Sequence, residues 1–83
     1  MELKRGTVVR TAAGHDKNRF MAVLETNGRY ALIADGKTRK TCSPKKKNLI
    51  HLYPTAAVLT EQEMASDKSL RSALKRFTAN ETV

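Results

Sequence analysis

Six cations fall between residues 37 and 47 with no acid among them: Lys37, Arg39, Lys40, Lys45, Lys46 and Lys47. Ammonium and guanidinium groups at this density attract phosphate, because each contact releases counterions condensed on a polyanion. If all six touched a single-stranded backbone, log K would fall with log salt at a slope of about −4. The same lysines would also suit an exposed sheet edge that discourages strand-to-strand aggregation. A second group, Gly14, His15, Lys17, Asn18 and Arg19, occupies a short loop whose donors suit phosphate, 2′-hydroxyl and base edges. Asp16 in that loop can shape an Asx-type turn without competing with the flanking cations. Lys4, Arg5 and Arg10, around the first apolar run, extend the basic set.

Other chemistries find little support. His15 and His51 are far apart, and no Cys/His spacing resembles a zinc site. Cys42 follows nearby cations but has no evident partner base, so it reads as an inert thiol. Paired carboxylates, a nucleophile elbow and a phosphate-cradling Walker loop are absent. The chain is therefore read as a non-enzyme, with no metal, cofactor or small-molecule substrate expected. Tyr30 and Tyr53 could stack on unpaired bases. The favoured reading instead has them filling the core with their hydroxyls at its rim.

The charge is unevenly distributed. The chain has 83 residues and a net charge of +8. Residues 1–55 hold twelve Lys/Arg against four Asp/Glu, which accounts for the whole excess; residues 56–83 hold four of each. This asymmetry suggests a binding body and a neutral appendage. An excess of this size implies a polyanionic partner, most commonly nucleic acid. No apolar run approaches the roughly 20 residues needed to span a bilayer, so no membrane role is expected. The N-terminus MELKRG lacks the apolar stretch of a signal peptide, and the single cysteine excludes an internal disulfide. A cytoplasmic location is the expectation.

The positioning elements are mainly β. Strands are expected over residues 7–11, 20–26, 29–34, 38–42 and 49–53, the last stopped by Pro54. Asn27-Gly28 and Asp35-Gly36 are favoured hairpin pairs, so strands two to four should form an antiparallel meander. Both faces of strand two are apolar (Phe20, Ala22 and Leu24 on one, Met21 and Val23 on the other), which suggests closure into a small barrel. Beyond it, Thr60 and Glu63 fit a capping box, and Ser66-Asp67 offers a second helix start. Leu70, Ala73, Leu74 and Phe77 repeat at helical spacing, predicting an amphipathic helix over 67–77 that docks on the barrel. Residues 78–83 are expected to fray. The expected division is a barrel over 1–55 and a linker with helix over 56–83.

The segments MELKRGTVV, AAGHDKNRF, YALIADGKTRK and PKKKNLIHL carry a resemblance. The stretch from Arg5-Gly6 to Leu24 resembles the KOW motif, a hydrophobic strand, a basic glycine-containing loop and a second hydrophobic strand. Residues 2–55 look like a bacterial KOW-domain RNA-binding protein, similar to a large-subunit ribosomal protein family of archaea and eukaryotes. Gly14 matches the motif's glycine, and Lys17 and Arg19 its loop cations. Asn18 departs, since glycine is common there, but Asn tolerates a left-handed backbone. The resemblance implies a five-stranded SH3-like barrel that binds RNA, with ribosomal RNA or the ribosome as target. Two alternatives stay open: a transcription-associated KOW module of the NusG type, contacting nascent RNA or polymerase, and a protein-interaction barrel. The first has no room here for the larger polymerase-binding domain, and the second lacks an aromatic-lined groove.

Overall fold

A computed structural model describes residues 3–12 and 19–81, with side chains described as far as Phe77. Five strands and one long helix follow the chain: β1 (Thr7–Thr11), β2 (Phe20–Asn27), β3 (Tyr30–Ala34), β4 (Lys45–Asn48), β5 (Leu52–Val58) and α1 (Asp67–Glu81). All strand pairs are antiparallel, in one sheet of order β4-β3-β2-β1-β5. The fold is thus mainly β with a C-terminal helix.

The first three strands form on short apolar runs that contain β-branched or aromatic residues, and their bounds match expectation to within a residue. The β2–β3 hairpin turns on Gly28-Arg29, because Asn27 pairs directly with Tyr30. Gly28 takes φ +54°, as a tight hairpin requires.

The fourth and fifth strands depart from expectation. Residues 38–42 are not a strand. Asp35 Oδ1 instead accepts from the Lys37 and Arg39 N–H groups, both at 2.9 Å, which folds the segment into a compact loop. This local side-chain bonding displaces the hairpin that Asp35-Gly36 suggested. β4 starts after Pro44, on the three lysines themselves. Residues 49–53 also differ: Leu49–His51 form a 3-10 turn, with the Asn48 side chain accepting from the Ile50 N–H, and β5 then runs through Pro54 to Val58. Proline is tolerated because β5 ends the strand order and needs hydrogen bonds on one side only.

Both apolar faces of β2 are buried. On one, Met21 and Val23 join Val9, Ala31, Ile33 and Leu52, with Leu3 and Leu49 packed alongside. Val9, Met21, Val23 and Ile33 are fully shielded from solvent. On the other, Ala22 meets Val8, Ala34, Leu59 and Met64 beneath Leu70, Ala73 and Leu74 of α1. Closure was expected to shield both faces; the helix covers the second. Phe20 and Phe77, rings 5.9 Å apart, extend this packing along the helix.

The approach to α1 is capped twice. Thr60 N–H donates to Glu63 Oε1 (2.9 Å) and Glu63 N–H donates to Thr60 Oγ1 (3.1 Å), the reciprocal pair of a capping box. Ser66 then caps α1, its Oγ accepting from the Ser69 N–H at 3.1 Å and its carbonyl from the Leu70 N–H at 2.9 Å. α1 continues to Glu81, beyond the residue 77 at which its apolar stripe ends. Among the described residues no helix is long and apolar enough to cross a membrane.

Candidate nucleic-acid interface

The basic residues divide between an edge strand and a loop braced by the helix. On β4, Lys45 pairs with Ile33 and Lys47 with Ala31, so these two lie on the side of the strand-covered core. Both are half-buried. Lys46 pairs with Leu32 on the opposite side and is exposed. The triple lysine is therefore not one stripe; the pleat sends its charges to both sides of an end strand.

Lys46 Nζ stands 4.4 Å from the centre of the Tyr30 ring, and Arg10 Cζ stands 5.7 Å from that of Tyr53. Tyr30 is 37% exposed and Tyr53 55%, so neither fills the core as expected. The cause is register: Tyr30 sits at the hairpin end, and Tyr53 faces Arg10 across β1–β5, away from Leu52 in the core. Each ring instead forms an exposed platform with a cation beside it.

The loop after β3 is fastened to the start of α1 by three contacts. Gly36 takes φ +78°, and a Cβ there would overlap the Asp67 carbonyl and lie 3.1 Å from Arg71 N. Only glycine lets the loop come this close. Arg71 Nη1 donates to the Gly36 carbonyl (3.1 Å), and the Thr41 N–H donates to Asp67 Oδ1 (2.7 Å). Arg19 reaches the same loop from the other side: Nη1 donates to Thr38 Oγ1 at 2.6 Å and lies 3.9 Å from Asp35 Oδ2. Arg19 is itself held by Thr11, whose N–H donates to the Arg19 carbonyl (2.9 Å) while its Oγ1 accepts from the Arg19 N–H (3.1 Å). Lys37 and Lys40 are exposed on this loop, and Arg39 is half-buried.

Between the loop and α1 lies a cleft of about 660 Å³, lined by Arg19, Phe20, Asp35, Lys37, Arg71, Ser72, Leu74 and Lys75. Arg71 and Lys75 belong to the segment whose charges sum to zero. Their signal was helical spacing: they sit four apart and next to the buried Leu70 and Leu74, so they flank the apolar stripe.

The neutral sum conceals how the acids are used. Glu61 forms a two-pronged pair with Arg5 (2.7 and 3.0 Å), and Arg5 Nη1 also donates to the Leu24 carbonyl at 2.9 Å. Hydrogen bonding from Arg5 holds the Glu61 carboxyl below its ordinary value, and the same bond raises the Arg5 guanidinium. The Glu63 carboxyl is lowered chiefly by the Thr60 N–H, with Arg76 3.7 Å away. Asp67 and Asp35 accept loop N–H groups as described above. Four carboxylates thus serve the fold, and Arg5 is engaged with one of them, Glu61.

Lys4 is exposed beside Arg5. Gly14, His15, Lys17 and Asn18, together with Asp16, lie outside the described residues. His51 is half-buried in the 3-10 turn, where its carbonyl accepts from the Ala12 N–H at 2.8 Å. Cys42 is exposed. Among the described residues, no group of three or more His, Cys, Asp or Glu is placed to hold a metal ion. No protein-family model and no curated protein matches the chain.

Proposed function

We propose that this protein binds structured RNA, with ribosomal RNA or the ribosomal particle as its target, and that its sheet is a KOW-type SH3-like barrel. One observation carries the reading. Asp35, Glu61, Glu63 and Asp67 are drawn into a capping box, loop hydrogen bonds and three ion pairs, whereas Lys37, Lys40 and Lys46 remain exposed around one end strand and its loop. A surface whose positive charges stand open while nearby negative charges are engaged attracts a polyanion electrostatically. The antiparallel order, with β1 beside β5, supports the barrel reading. Lysines and arginines position the backbone, and the exposed Tyr30 and Tyr53 add faces for unpaired bases.

Fluorescence anisotropy with a labelled RNA hairpin tests this. Lys45→Ala, Lys46→Ala and Lys47→Ala combined should weaken binding and flatten the salt slope by about 0.7 for the exposed Lys46 and by up to about 2 where all three reach phosphate. Circular dichroism checks that the fold persists, since Lys45 and Lys47 are half-buried. Unchanged affinity at physiological salt would remove β4 from the interface. Co-sedimentation with large ribosomal subunits in a sucrose gradient tests the target. RNA binding without it would favour the transcription-associated alternative.

A further inference from the structure

We infer that the cleft between α1 and the 35–41 loop seats one unpaired nucleotide of the bound RNA, which makes the helix part of the binding surface. The inference rests on the RNA-binding reading and names what one part of that surface holds. Four cations, Arg19, Lys37, Arg71 and Lys75, line the cleft with one carboxylate, Asp35. Asp35 offsets at most one of them: its side chain is 12% exposed, Oδ1 accepts two loop N–H groups, and Oδ2 faces Arg19, so the lining keeps a positive excess. The two arginines are already oriented, each with Nη1 bonded to the loop. A guanidinium has five N–H donors, so each retains donors for a phosphate oxygen. Lys37 and Lys75 are exposed and form no ion pair among the described residues. Two held donors and two exposed cations around one opening suit a phosphodiester.

The remaining lining selects the kind of nucleotide. Phe20 and Leu74 supply an apolar wall, and Phe20 is fixed against Phe77. A phosphate alone would leave that wall wet, whereas a base lying against it would bury both. Bases present their faces only where RNA is unpaired, so the cleft favours a loop, bulge or end over a continuous duplex. Its volume, about 660 Å³, lies in the usual range for small-ligand sites.

The test measures salt dependence of binding with two probes, an RNA hairpin with an open loop and the blunt duplex of its stem. Lys37→Ala with Lys75→Ala removes two contacts and should flatten the hairpin slope by about 1.4. Lys68→Ala, which removes one positive charge from α1 outside the cleft, should leave it unaltered. Amide shifts of the wild type with the hairpin should include Gly36, Lys37, Ser72 and Lys75. An equal loss on the blunt duplex overturns the unpaired-nucleotide assignment. An unchanged hairpin slope with shifts confined to β4 overturns the cleft while leaving RNA binding intact. Absence of salt-dependent binding by the wild type overturns both.

Discussion

On one side of the sheet, Val9, Met21, Val23, Ala31 and Ile33 pack with one another and with Leu52; on the other, Val8, Ala22 and Ala34 are shielded by Leu70, Ala73 and Leu74 of a helix made later in the chain. The first core comes from the strands themselves and from Leu52 after the 3-10 turn. The second needs a connector of eight residues, 59–66, with caps at Thr60 and Ser66, plus the Gly36 contact to bring α1 into place. Burial on the helix side therefore depends on polar fastenings that bring a separate element into place. The same fastenings build the basic cleft, so on that side stability and candidate function share residues.

Paired core truncations test whether the two sides are equivalent in energy. Leu70→Ala and Met21→Ala, both wholly buried, should each cost about 3 kcal/mol in urea unfolding. A loss well under 1 kcal/mol for Leu70→Ala alone would make α1 an independent arm. Two glycines isolate the fastening itself. Gly36→Ala should cost about 2–3 kcal/mol, combining positive-φ strain with backbone overlap. Gly28→Ala, with φ +54° and nothing within 4 Å of a Cβ, should cost only about 1 kcal/mol of conformational strain. Equal losses would show that the loop–helix contact adds nothing. The smallest effect concerns the Arg5–Glu61 pair. Glu61 is depressed in the folded state, so its contribution is present above its unfolded value of 4.5 and is lost as pH falls through the folded one. Glu61→Gln should lower the neutral-pH melting temperature slightly and weaken its decline on acidification. An identical pH profile in the variant would show that the pair is screened out by solvent.

Much of this was readable from residue order. Val8–Val9, Phe20–Leu24 and Ala31–Ala34 are short apolar runs of strand length, Thr60 and Glu63 form their capping box, and Leu70–Phe77 repeat as a helix. What was missed depended on distant partners. Asp35-Gly36 has the composition of a hairpin turn, but its positive-φ glycine serves Asp67 and Arg71 on α1. Without that partner in view, residues 38–42 resembled an edge strand, and the true β4 lay hidden in a lysine run of low β-propensity. Arg71 and Lys75 were missed because charge was counted by segment. The count became informative only once Glu61, Glu63 and Asp67 were seen to be engaged. The tyrosines were misplaced because which face a strand residue occupies depends on register, and a shift of one residue reverses it.

Chain order gives the helix-covered face a further consequence. Synthesis makes all five strands before residues 67–77, so Val8, Ala22 and Ala34 precede their cover. During that interval the nascent sheet has a bare apolar face, and the loop at 35–41 lacks the Asp67 and Arg71 contacts that shape it. The basic cleft is thus a late product of translation, and a stall before α1 would leave a chain prone to association and without its finished cleft.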